Sequence, residues 1–201
     1  MKNSQLTYQN TPFTRDQLVA KLKKSLTDSR FQHCLRVEQT AIDLAEKNHV
    51  DIQRAAIGGL VHDYAKQRSD SDFIEAIKAY HLDRELLNYG NAIWHGVVGW
   101  LFVKNELHIN DIEILNAVRY HTVGHEFMTP IEQIVYMADY IEPARDFPGV
   151  DEARKVTFDS LQDGVAYQTQ KTLSYLVAHN KPVFPQTIVT YNSWVPNSGL
   201  K

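Results

Sequence analysis

One cysteine, Cys34, is all the thiol chemistry this chain carries. It has no partner for an internal disulfide, which fits a reducing compartment, and no Cys-x-x-Cys zinc site can be built. No apolar run is long enough to span a bilayer and no leader-like apolar segment is seen, so the expectation is a cytoplasmic protein with no membrane partner. Charge of either sign is not in surplus. Lys and Arg number 21 and Asp and Glu 24, a net charge of -3. The dispersed aromatics have no basic stripe beside them, so no nucleic-acid partner is expected. A Gly-rich phosphate loop is absent, which excludes P-loop and dinucleotide-fold sites. Glycine (9) and proline (7) are scarce among 201 residues, and sparse until the C-terminal part, so the middle of the chain reads as helix after helix.

What is present is helix punctuation and histidine. Residues 1–13 are polar and aperiodic, read as a flexible arm. Thr14-Arg-Asp-Gln17 is a capping box opening a helix with Leu18, Leu22 and Leu26 on one face. The next helix, from Asp28 or Ser29 to about Lys47, carries a stripe of His33, Val37, Ala41 and Leu44. Asp51 caps a third, to about Tyr64, whose Ala55, Ala56, Gly58 and Gly59 leave a thin surface for close approach. After a polar break, 72–80 is a short helix and 82–89 turn-rich. Helices follow over 91–107, from Asn110-Asp-Ile-Glu113 to His121, and from Thr129-Pro-Ile-Glu132 to just before Pro143. A penultimate helix begins at Asp151 and a last one spans 164–179. Residues 182–201, with Pro182, Pro185, Pro196 and an alternating Thr187-Ile-Val-Thr190, read as an extended tail. The fold class is all-α: one helical bundle over 14–181 with an extended C-terminal tail.

Six polar residues point inward on these helices: His33, His62, Asp63, His95, His121 and Asp139. A lone inward histidine is ordinarily a hydrogen-bonded core residue, and an adjacent His-Asp pair is common. A buried carboxylate is different, because it is costly without a positive partner. The order His, His-Asp, His, His, Asp on consecutive helices calls for one or two divalent cations. Imidazole with carboxylate suits iron, manganese, zinc or nickel. Such an ion acidifies a bound water and polarises a phosphoryl oxygen. Lys66, one turn past Asp63, and Arg145, after the Asp139 helix, suit an anionic substrate. Thr122 and Gly124 offer a hydroxyl and an amide. His49, His81, His108 and His179 are read as surface, His125 is given no role, and Cys34 is read as packing. Trp94 and Trp100 are read as core, with a homodimer face as the alternative.

These residues resemble a known family. His33, His62-Asp63 and Asp139 are similar to the ligand order of the HD-domain metal-dependent phosphohydrolases. The segments Arg30-Phe-Gln-His33-Cys-Leu-Arg-Val37, His62-Asp-Tyr-Ala-Lys66, Ile93-Trp-His95-Gly, Val118-Arg-Tyr-His121-Thr-Val-Gly124 and Met137-Ala-Asp139-Tyr-Ile-Glu-Pro143 narrow the resemblance to its bacterial YqeK-like branch, the symmetrical bis(5'-nucleosyl)-tetraphosphatases. The resemblance implies an HD-type bundle that hydrolyses diadenosine tetraphosphate to two ADP with bound iron, one or two ions, for which Mn, Ni, Co or Zn can substitute. It implies His33, His62, Asp63 and Asp139 as metal ligands. It places Asp63, Lys66, His95 and His121 in catalysis, His95 and His121 holding either a second metal or the phosphates. The small-molecule nucleotide then meets Asp63, Lys66, His95, His121, Thr122 and Arg145, and the tail closes over it with Phe184, Pro185 and Thr187. The alternatives are an HD-type nucleotidase acting on nucleoside mono- or triphosphates, and a metal-containing nucleotide-binding regulator.

Overall fold

Helix α2 (Asp28–Asn48) is the longest element, and α3 (Ile52–Val61) and α8 (Pro130–Ile141) lie along it. The structure is a computed structural model that describes residues 8 and 10–200. The remaining elements are α1 (Arg15–Ser25), α4 (Asp70–Ala79), a 3-10 turn (Arg84–Asn88), α5 (Asn91–Val97), α6 (Trp100–Glu106), α7 (Ile112–Tyr120), α9 (Val150–Asp159), α10 (Leu161–Ala178) and α11 (Pro185–Trp194). No strand occurs among the described residues, in line with the all-α expectation.

Local chemistry sets the helix starts. Capping boxes close at Thr14 with Gln17, Ser69 with Asp72, and Thr129 with Glu132. The side chains of Asp51, Asp111 and Ser160 accept from the first free amides of α3, α7 and α10. Three apolar clusters then join the helices. Leu18 and Leu22 of α1 meet Phe31 and Cys34 of α2, Ile57 of α3 and Ile114 of α7. Val37 and Leu44 of α2 meet Ile134 and Val135 of α8 and Val165 of α10. Phe73, Leu86, Trp94 and Leu101 form a third beneath α4 and α5. Cys34 is fully buried in the first cluster, as its packing role requires.

The thin face of α3 is used as expected. A Cβ on Gly59 would stand 3.0 Å from Ala41 Cβ and 3.1 Å from the Val37 carbonyl, and one on Gly58 would stand 2.9 Å from Val135 Cγ2. Two glycines thus let α3 sink between α2 and α8. The end of α3, where His62 caps it, arrives beside His33.

Four expectations change. The helix over 91–107 is two helices: Val98 N and Gly99 N both lie 2.9 Å from the Trp94 carbonyl, a turn with one residue too many. Gly99 permits it, since a Cβ there would fall 1.8 Å from the His95 carbonyl oxygen. Second, the tail is not extended throughout: 185–194 is α11, with Pro185 at its first turn. Thr187 and Thr190 are one helical turn apart, and both are buried; the short alternation was compatible with either period. Third, α3 stops at Val61, α4 begins at Asp70, and α10 begins at Leu161 because Ser160 caps it. Fourth, most of the arm at 1–13 lies outside the described residues, but Tyr8 is buried and its hydroxyl donates to Glu38. Asn10 Nδ2 donates to Asp111 Oδ2 at 2.6 Å.

Candidate metal centre

Three histidines are aimed by one device. His62 Nδ1 lies 2.7 Å from the Gly59 carbonyl, His121 Nδ1 2.7 Å from the Val118 carbonyl, and His95 Nδ1 2.6 Å from the Asn91 carbonyl. A carbonyl only accepts, so each Nδ1 carries the proton and donates. Each Nε2 is thereby turned inward. His33 does the same with a side chain: its Nδ1 lies 3.1 Å from Glu142 Oε1, and Glu142 receives Arg36 Nε at 2.6 Å and Ala144 N at 2.7 Å.

The four Nε2 atoms converge on two carboxylates. Asp63 Oδ2 is 3.4 Å from His62 Nε2 and 3.7 Å from His33 Nε2; its Oδ1 is 3.4 Å from His95 Nε2 and 3.8 Å from His121 Nε2. Asp139 Oδ1 is 3.0 Å from His33 Nε2 and 3.8 Å from His62 Nε2. His62 is wholly buried and Asp63, His121, His95 and His33 are 2%, 1%, 5% and 5% exposed. Yet His33 Nε2, His62 Nε2, His121 Nε2 and Asp63 Oδ1 have no hydrogen-bond partner among the described residues. Four buried polar atoms without partners in one cluster need an explanation. A divalent cation supplies it, because each is a lone-pair donor of the type such ions take.

Two donor sets can be drawn. His33, His62 and Asp139 each offer one atom within 4.8 Å of the others, as do His62, Asp63 and His121. His62 belongs to both. His121 thus belongs to one of these donor sets, while His95 faces Lys66, whose Nζ is 3.2 and 3.1 Å from its two ring nitrogens.

The electrostatics hold His95 and His121 down, while at His62 burial is outweighed by Asp63, which raises it. Burial, then the charges of His62 and His95, hold His121 down at about 3. Burial foremost, with Lys66 adding to it, holds His95 at about 4. Both rings are therefore neutral at pH 7, the His121 Nε2 lone pair unpartnered and that of His95 facing Lys66 Nζ at 3.1 Å. Burial also opposes ionisation of Asp63 and Asp139, but it is outweighed: His62 foremost depresses Asp63, and the His33 hydrogen bond foremost depresses Asp139. Burial lowers Lys66.

Guanidinium groups flank the carboxylates. Arg145 Nη2 donates to Asp139 Oδ1 and its Nε to the Asp139 carbonyl at 2.8 Å. Arg30 Nη1 donates to Asp63 Oδ2 at 2.8 Å. Thr122, the residue after His121, lines a cavity of about 440 Å3 together with Tyr89, Ile93, Val123, Phe184 and Thr187 among others. Thr122 Oγ1 is buried without a partner. Pro185 faces away, into a neighbouring cavity with Arg119 and Tyr120. α11 is pinned to the turn after His121 by Thr190 Oγ1, 2.9 Å from the Val123 carbonyl, against Gly124 at φ 68°.

His33, His62, Asp63, Lys66, His95, His121, Asp139 and Arg145 are therefore gathered at one place, while Phe184 and Thr187 line a cavity with Thr122, the residue after His121. His125 lies outside, stacked on Tyr120 at 4.4 Å. Trp94 is buried, its Nε1 2.7 Å from the Leu86 carbonyl; Trp100 is half-buried under Arg119. Arg30, Arg36, Glu142 and Arg154 went unassigned in the sequence. Glu142 had a signal, an acid one turn from Asp139 inside a quoted motif. Arg154 had none: it donates to the carbonyls of Ile141, Glu142, Pro143 and Arg145 and so holds the loop that carries Arg145.

The HD domain family model matches residues 30–144. A Bacillus subtilis protein named symmetrical bis(5'-nucleosyl)-tetraphosphatase is 40% identical, over 92% of this chain and 99% of its own length. A Staphylococcus aureus protein of the same name is 36% identical, over 85% of this chain and 89% of its own. A crystal structure from Clostridium acetobutylicum, described as a predicted HD superfamily hydrolase involved in NAD metabolism, superposes with a TM-score of 0.88 at 32% identity, over 92% of this chain and 99% of that one. The ligand-like cluster sits wholly inside the matched segment, and the chain belongs to the HD-domain family, alongside the symmetrical bis(5'-nucleosyl)-tetraphosphatases.

Proposed function

We propose that the chain hydrolyses diadenosine tetraphosphate symmetrically to two ADP at the His33, His62, Asp63, Asp139 centre, with iron as the ion, one or two per chain. The observation that carries this is the set of buried, unpartnered donors at the centre, in a chain whose near full-length relatives bear that name. A divalent cation bound there supplies a Lewis acid that lowers the pKa of a water and polarises a phosphoryl oxygen. The protein does the rest. Neutral His95 and His121 place no extra positive charge against the ion. Lys66 and Arg145 neutralise charge on the phosphates and on departing ADP. ADP leaves as a stable anion, so a dedicated general acid is unnecessary. Thr122, Phe184 and Thr187 line the nucleoside side, with Thr122 Oγ1 awaiting a polar partner; Pro185 starts the helix behind them. The buried lone Cys34 suits the reducing cytoplasm of a bacterium, and the described helices include none long and apolar enough to cross a membrane.

The test is product chromatography after incubating iron-loaded protein with diadenosine tetraphosphate and a panel of nucleoside mono- and triphosphates. ADP as sole product is expected; phosphate released from mononucleotides, with the dinucleotide untouched, overturns the reading.

A further inference from the structure

Arg30 differs from the structural arginines of this protein. Arg15 makes two bonds to Glu38, Arg36 two to Glu142, and Arg154 contacts four carbonyls and Asp151. Arg30 makes one, Nη1 to Asp63 Oδ2 at 2.8 Å, and no second from its guanidinium among the described residues. Its side chain is 31% exposed while Asp63 is buried. One corner of the fork is on a buried carboxylate of the site, and the side chain reaches solvent.

Its position is matched by Arg145. The donor sets His33, His62, Asp139 and His62, Asp63, His121 share His62; Arg145 is bound to the carboxylate of the first and Arg30 to that of the second. Lys66 reaches the same cluster through His95, whose Nε2 is 3.1 Å from Lys66 Nζ and 3.4 Å from Asp63 Oδ1, so the three cations stand around one pair of carboxylates. A tetraphosphate cut at its central bridge has two phosphates on either side of the broken bond. A symmetric cut needs a grip on each half.

Resting on the proposed activity, the geometry points to Arg30 as a specificity-determining residue: with Arg145 on the other carboxylate, it grips the phosphate chain at a second point and so fixes which bridging oxygen lies at the centre. In the correct register the water oxygen bonds to an inner phosphorus, the central P–O bond breaks, its electron pair leaves on ADP, and diadenosine tetraphosphate plus water gives two ADP. With the grip lost, the chain slides by one phosphate, and the same substrate plus water gives ATP and AMP.

The experiment compares the parent with Arg30→Met and Arg30→Lys in the full-length, iron-loaded protein, reading products, KM, kcat and metal per chain. A titration of the metal-free proteins with inorganic tripolyphosphate accompanies it. Arg30→Met is expected to keep its metal, raise KM for diadenosine tetraphosphate about tenfold, equal to about 1.4 kcal/mol, bind tripolyphosphate about tenfold more weakly, and release equal ATP and AMP beside ADP. Arg30→Lys is expected to retain most of the affinity, having the charge, yet still leak ATP and AMP, lacking the fork. ADP alone from both variants at parental KM overturns the inference. So does loss of metal with KM, products and tripolyphosphate binding unchanged, since Arg30 would then only hold Asp63. A parent that makes no ADP sinks the proposed activity instead, and is recognised before either variant is read.

Discussion

Glu142 grips His33 from behind: Oε1 lies 3.1 Å from Nδ1, and the far nitrogen of the ring points at Asp139, 3.0 Å away. A carboxylate behind a ligating imidazole fixes its tautomer and raises its basicity. Glu142→Gln keeps the shape and removes the charge. Metal affinity should fall about tenfold to a hundredfold, read by competition with a chelating dye; unchanged affinity would show that Glu142 serves α8 rather than the centre.

The same carboxyl predicts a pH effect on the metal-free protein. Burial opposes its ionisation, but hydrogen bonds from Arg36 and the Ala144 amide, then His33, more than offset this and hold it at about 2, against an ordinary value of 4.5. The folded state thus favours the ionised form. Stability from Glu142 is complete above the ordinary value and drains away as pH falls towards about 2. Thermal melts of the parent should drop more steeply across that window than those of Glu142→Gln; parallel slopes would count against the assignment.

Asp63→Ala removes the carboxylate that all four site histidines approach. Bound metal and ADP release should both vanish, measured by elemental analysis and chromatography, while helix content stays near parental because Asp63 lies in the turn after α3. Full activity in a metal-free Asp63→Ala protein would end the proposed function.

Gly99→Ala tests the extra residue between α5 and α6. Alanine is ordinarily the better helix former by about 1 kcal/mol, so a bland reading predicts stabilisation. Here the new Cβ meets the His95 carbonyl oxygen at 1.8 Å, and the backbone must shift. The expected result is destabilisation of about 1–3 kcal/mol, the range for a displaced strained backbone, seen as a lower denaturant midpoint.

Tyr8→Phe tests the anchoring of the N-terminal segment. The hydroxyl donates to fully buried Glu38, which Arg15 also grips at 2.7 and 2.6 Å. Losing a bond to a charged group should cost about 1.5–3 kcal/mol, with metal content unaltered. A melting temperature equal to the parent's would mean that Arg15 alone satisfies the carboxylate.

The parts of this protein that were legible in its sequence are those decided locally. Thr14 with Gln17 and Thr129 with Glu132 announce helix starts because both partners lie within one turn. The donor order was readable because an aspartate such as Asp63 on an apolar face demands compensation wherever the fold puts it. Gly99 was not readable, since one glycine in a helical pattern is compatible with continuation or with an extra residue. The segment after Pro185 was too short for period 2 and period 3.6 to be told apart. Arg36, Glu142 and Arg154 act through pairs 106 and 12 residues apart or similar, so their roles exist only once α2, α8 and α9 have packed.

His62 is tied to a carbonyl of α3 and Asp139 stands on α8, so the 3.8 Å between His62 Nε2 and Asp139 Oδ1 follows the spacing of those two helices. That spacing rests on Gly58, where a Cβ would stand 2.9 Å from Val135 Cγ2 of α8. The bore of the ion cage is therefore machined by hydrogen atoms in the oily interior, one layer behind any ligand. A side chain at Gly58 would push α3 away from α8 and part His62 from Asp139 while every donor stayed the same.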